Sequence, residues 1–274
     1  MAAMAPEAAE LAAFHARHPG GSVEDRWRWR LLLALEIALI LVLWEVAVSV
    51  LGLVRQQFMP PPSAIVASFG ELLARPSFPG HVVYSLVNLV IGVALAAVFG
   101  ISIGLLVGWS RLMELMVAPV LWTVYSVPKV AFAPLVILAL GLGPPSKIFL
   151  VFLLGFFPIA LNTIEGVRTV DPSMIRASRV FGTNGFALGR KVVIPATLPF
   201  ILVGLRRAVA LGFIGAMLGE FLGGSRGIGH LLREAAKEFR MDDALALVVI
   251  MLIVANVGLV LIGIVQRRWF PWSR

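Results

Sequence analysis

Residues 82–108 read VVYSLVNLVIGVALAAVFGISIGLLVG, 27 positions without a single Asp, Glu, Lys or Arg. A helix crosses the roughly 30 Å hydrocarbon core of a bilayer with about 20 apolar residues, and in lipid its backbone polar groups must be satisfied within the segment. This stretch therefore reads as a membrane-spanning helix. Working outward, comparable blocks lie at 31–54, 113–140, 147–165, 199–222 and 244–266. The expected fold is all-α and polytopic, with about six transmembrane helices.

Composition agrees. Apolar residues make up 59% of the chain and charged residues 14%, too few charges to cover a soluble domain. The net charge of +8 invites a nucleic-acid reading. That reading fails because the basic residues lie between apolar blocks instead of along one face. With no cysteine there is no disulfide framework or thiolate metal site, and His15, His18, His81 and His230 are scattered. The first 30 residues show no apolar core with a small-residue cleavage site, so no cleavable leader is expected. Alternating Arg and Trp at 26–30 suits an anchor at headgroup level.

The third block contains Pro119, Pro128 and Pro134, so a kinked or broken helix is expected there, and two short spans are the alternative. Charge decides the count. The loop 166–199 carries Arg168, Arg176, Arg179, Arg190 and Lys191 against the single acid Asp171, and both chain ends are basic as well. Lys and Arg accumulate on the cytoplasmic side. Six spans place all three regions there; seven would not. The chain thus divides into a cytoplasmic segment, 1–30, and a transmembrane domain, 31–272. On the outer side, Pro60-Pro61-Pro62 precedes a short surface helix near 64–73, and a glycine-rich turn at 223–229 precedes an amphipathic helix near 230–240.

The loop 166–199 is too long for a plain connector. Asp171 or Ser173 caps a helix, Pro172 sits in its first turn, and Gly182 ends it. One side is apolar, through Ile175, Val180 and Phe181. Pro199 is expected to open the fifth span. Such an exposed, bracketed helix suits docking as well as a simple interfacial connection.

The loop resembles the cytoplasmic loop of binding-protein-dependent ABC importer permeases, whose pattern is Glu-Ala-Ala, three residues, Gly, nine residues, Ile-x-Leu-Pro. Arg176-Ala177-Ser178 falls on the triplet, Gly182 on the glycine, and Val192, Ile194 and Pro195 on the end, with spacing intact. Arg176 stands where the family usually has Glu, and Ser178 where it has Ala. Ser126-Val127-Pro128-Lys129, Ala133-Pro134-Leu135, Gly141-Leu142-Gly143, Phe157-Pro158 through Asn162-Thr163, and Glu220-Phe221 with Gly227-Ile228-Gly229 resemble the sulfonate, taurine, nitrate and bicarbonate branch. Thiamine-precursor permeases share much of this pattern. The resemblance implies the type I ABC importer permease fold. It also implies a second permease copy, two ATP-binding subunits that carry ATP and Mg, and an external solute-binding protein. The loop helix would couple ATP hydrolysis to alternating access through Asp171, Arg176, Ala177, Ser178, Gly182 and Pro195.

Charges inside spans are expensive. Glu45 either pairs with a cation such as Lys129 or lines a pathway. Glu165 and Glu220 lie at span ends and are expected to be wet. Arg206 and Arg207 are expected in the first turns of span five, with one facing lipid headgroups. For an anionic solute, Asn88, Ser126, Lys129 and Asn162 are the candidate passage residues; interhelical bonding is the alternative for each. The chain has no P-loop and no catalytic constellation, so it is expected to be a transport subunit and not an enzyme, with no cofactor of its own. The rival reading is an ATP-independent secondary transporter or channel.

Overall fold

The computed structural model describes residues 23–269. The first 22 residues of the expected N-terminal segment and the tail from 270 onward lie outside them. The chain forms two compact units that divide between Ala64 and Ile65.

In the first unit, α1 (Val23–Glu45) runs on through a π-turn, Val46–Val50. Its apolar side chains are exposed on all sides, Leu35, Leu39 and Leu43 among them. A helix that is apolar all round has the composition of a membrane span. Glu45 ends it. Its carboxylate accepts hydrogen bonds from Ser49 Oγ (2.8 Å), Ser63 Oγ (2.9 Å) and Ser63 N (3.0 Å). The next helix, α2 (Pro62–Ala74), begins beside Ser63, so Glu45 satisfies a free N–H in its first turn. The acid is thereby engaged within its own unit.

The second unit holds α3 (Phe78–Trp109), α4 (Arg111–Ser126), α5 (Ala133–Leu140), α6 (Pro144–Arg168), α7 (Pro172–Val180), α8 (Ile194–Gly223), α9 (Ile228–Lys237) and α10 (Met241–Trp269). The third span is broken: α4 and the segment Lys129–Leu140 meet at 78°. The break falls at Val127, whose extended backbone is the conformation favoured before a proline, here Pro128. Counting this bent pair as one span gives six. Pro119 sits inside α4 and Pro134 in the first turn of α5.

The fifth span differs from expectation. The chain is helical from Gly185 to Gly223, so Pro199 lies inside the helix and does not open it. A π-turn at Gly189–Val193 directly precedes Pro195. The wider turn relieves the clash between a proline ring and the carbonyl four residues earlier, which lets the helix run through.

Helix α6 is the centre of the second unit, and small residues bring its neighbours close. Along α3, Gly92, Ala96, Gly100, Gly104 and Gly108 recur every four residues. A Cβ on the glycines would meet Val151 (2.5 Å), Ile159 (3.0 Å), Thr163 (2.5 Å) and Val167 (2.8 Å), the same four-residue rhythm on α6. Gly155 faces Ala96 and Ala208, and on α8 Gly204, Gly212 and Gly215 approach Ile159, Val151 and Leu150. In lipid there is no hydrophobic drive between apolar helices, and close backbone approach of this kind is what holds them together.

At the end of this unit where α9 lies, Ser68 Oγ donates to Asp242 (3.0 Å), and Asp243 pairs with Arg75 (3.2 Å) and with Arg240. At the end where α7 lies, Glu114 holds Arg111 (3.0 Å) and Arg168 (2.9 Å).

Candidate functional site

Helix α7 is built by its own ends. Asp171 accepts a hydrogen bond from Ser173 N (2.7 Å), Pro172 takes the first turn, and that same backbone bond holds the Asp171 carboxyl below its ordinary range. At the other end Gly182 N donates to Arg179 O (2.9 Å) and Thr183 N to Ser178 O (3.0 Å), closing a Schellman motif. Gly182 has φ +78°, a conformation that L side chains rarely adopt, and a Cβ there would meet nothing within 4 Å. The glycine is needed for its backbone, not for space.

What α7 presents is apolar and uncovered within the chain. Val180 is 84% exposed, Phe181 86% and Phe186 85%, whereas Ile175 is half-buried. Between α7 and the start of α8 lies a groove of about 510 Å³, lined by Ala177, Ser178, Phe181, Val192 and Pro195 among others. Ala177, Ser178 and Pro195, read from the loop pattern, thus share one groove with Phe181. Asp171 and Gly182 fix the ends of its helix. Arg176 is exposed on the same helix.

Three of the passage candidates bond to the backbone of their own stretch of chain. Ser126 Oγ donates back to Trp122 O (3.1 Å) at the end of α4. Lys129 follows in the break; its Nζ donates to Tyr125 O (2.7 Å) and stands 4.7 Å from the ring centres of both Tyr125 and Phe157. Asn162 donates to Pro158 O (2.7 Å) on α6. Asn88 is only 2% exposed, so it lines no surface of this subunit.

Asn88 belongs instead to a polar cluster that the sequence reading missed. Glu220, expected to be wet, is fully buried, as is Lys147. Glu220 Oε2 accepts from Ser85 Oγ (2.8 Å) and Gly229 N (3.1 Å). Ser85 Oγ accepts in turn from Ile228 N (3.0 Å), and His81 Nδ1 accepts from Gly227 N (3.1 Å). Asn88, one turn along α3 from Ser85, is buried with its Nδ2 unpartnered, as is Glu220 Oε1. Lys147 Nζ donates to Leu142 O and to Gly223 O (3.0 Å), tying the turn before α6 to the end of α8. The Gly227-Ile228-Gly229 turn wraps onto this carboxylate. A side chain at Gly227, where φ is +106°, would run into Glu220, and one at Gly229 would press on Met217 O. Glu165, by contrast, is exposed as expected and faces Arg168 at 3.8 Å.

Arg206 and Arg207 also depart from expectation. They are not in a first turn, because the helix starts at Gly185, and both are exposed into one groove between α8 and α10.

The comparisons with known proteins bear directly on this arrangement. Residues 96–272 match the family model described as "Binding-protein-dependent transport system inner membrane component", which covers more than half of the chain. The chain belongs to this family. The permease is 32% identical over 235 residues to the putative aliphatic sulfonates transport permease protein SsuC of Bacillus subtilis, covering 86% of this chain and 85% of the relative. It is 31% identical to the formylaminopyrimidine transport permease protein ThiX of Halalkalibacterium halodurans (86% and 93% covered). To the taurine transport system permease protein TauC of Escherichia coli it is 29% identical (90% and 93% covered). It is therefore an ABC importer permease of the sulfonate, taurine and nitrate branch, a transport subunit and not an enzyme.

Proposed function

We propose that this permease, paired with a second copy, moves a small anionic solute such as a sulfonate into the cytoplasm by alternating access. ATP and Mg are handled by two separate ATP-binding subunits, and an external solute-binding protein delivers the solute. The observation that carries this reading is α7: a capped, glycine-terminated helix that holds Val180 and Phe181 in the open beside a preformed groove. Exposed apolar patches rimmed by polar residues mark interaction sites, and Arg176 and Arg179 rim this one. In this reading α7, the loop 166–199 and both termini are cytoplasmic. The side of α9 meets the solute-binding protein, and Lys129 with Ser126 and Asn162 borders the passage. The names of the sulfonate and taurine relatives support the solute class.

Phe181→Asp tests it. Burying a Phe side chain against a partner contributes roughly 1.5–3 kcal/mol, about ten- to a hundredfold in affinity. The variant should insert normally and yet lose at least roughly tenfold in co-purification of its ATP-binding subunit. Unchanged recovery of that subunit would remove α7 as the docking element.

A further inference from the structure

The groove between α8 and α10 has a composition that nothing above uses. It holds about 570 Å³ and joins Arg206, Arg207 and Asn256 to the apolar side chains Leu259, Val260 and Ile264. Arg206 and Arg207 are successive residues and both line this space. The Arg206 guanidinium lies beside Gly263 of α10. Asn256 spends one donor on Leu252 O (2.8 Å), which leaves its carbonyl oxygen and a second N–H for the groove. Among the described residues neither arginine forms an ion pair. At 1.5 Å per residue they lie about 25 Å along the helix from Gly223, close to the full thickness of a hydrocarbon core of about 30 Å. At that level the guanidinium heads reach the headgroup zone, where an anion meets them.

We propose that this groove binds an amphipathic oxyanion: a sulfonate or phosphate group held by Arg206, Arg207 and Asn256, with its hydrocarbon chain along Leu259, Val260 and Ile264. The planar guanidinium fork matches the oxygens of such a group, two at a time. Two sources share this chemistry, an alkylsulfonate solute and the phosphodiester of an anionic phospholipid. The solute source rests on the proposed import function; the binding site itself does not.

The full-length chain, purified without its ATP-binding subunits or binding protein, is placed in phosphatidylcholine nanodiscs. Its melting temperature is followed against hexanesulfonate in one arm and against phosphatidylglycerol content in the other. The same is done for Arg206→Gln/Arg207→Gln and for Ala210→Trp, which keeps both charges but fills the groove. A saturable rise with hexanesulfonate, weakened at least about tenfold in both variants, establishes a solute site. A rise confined to phosphatidylglycerol and lost in the same variants establishes a lipid site. If the double variant does not fold, Ala210→Trp and the wild-type chain decide. No rise with either probe, or a rise that both variants retain, overturns the proposal. ATP plays no part in this measurement, so its failure leaves the import reading standing, and loss of ATP-driven uptake would leave the groove standing.

Discussion

Gly182→Val should abolish most ATP-driven uptake while leaving the six spans in place. The residue sits at φ +78° as the closing position of the Schellman motif on α7. A non-glycine residue in that conformation costs about 1–2 kcal/mol, and a β-branched one more. Helix α7 is exposed and has little packing to offset the strain, so the last turn should open and Phe181 should leave its place over the groove. The loss is expected through the backbone, since a Cβ there meets nothing within 4 Å. Gly182→Asn is the control, because Asn enters the left-handed region far more readily. Uptake by the Asn variant should stay near the wild-type rate and that of the Val variant should fall at least about tenfold, in line with the strain. Equal uptake by all three would mean that the end of α7 has no part in coupling.

Lys147→Met should produce the largest loss of stability of any single change at the α9 end. The lysine is fully buried and holds Leu142 O and Gly223 O together. Methionine fills similar volume but leaves two carbonyls without this donor, at about 1–3 kcal/mol for each group left unsatisfied. Detergent melting of the variant beside the wild type measures it; a variant that melts with the wild type would show that these two bonds carry no stability.

The parts of this molecule that were legible in the sequence are those that depend on neighbouring residues. Long apolar runs gave the spans, Pro128 gave the break at Val127, and Asp171, Pro172 and Gly182 gave α7 within a residue or two at either end. The parts that were not legible depend on distant ones. Ser85 and Glu220 are 135 residues apart, and only the packing of α3 against α8 makes their bond. Glu220 looked wet because it ends a span, and the turn at Gly227–Gly229 that covers it could not be read from composition. The four-residue rhythm of small side chains from Gly92 to Gly108 stands in the sequence in plain view; its meaning needed the matching rhythm on α6. Pro199 misled because a proline commonly starts a helix, whereas here the helix runs through it from Gly185. Glu45 finds its donors in Ser49 and Ser63, a cap on the next helix that a search for a cation partner overlooks.

The central claim is that this permease moves solute only when a separate subunit hydrolyses ATP. The direct measurement is uptake into proteoliposomes that hold the permease with its ATP-binding subunit, with the external binding protein and a sulfonate outside and ATP with Mg inside. Solute should accumulate against the gradient, and accumulation should stop when ATP, the ATP-binding subunit or the binding protein is omitted. Equal uptake by the permease alone, running down the solute gradient without ATP, would contradict it and point to a self-sufficient transporter.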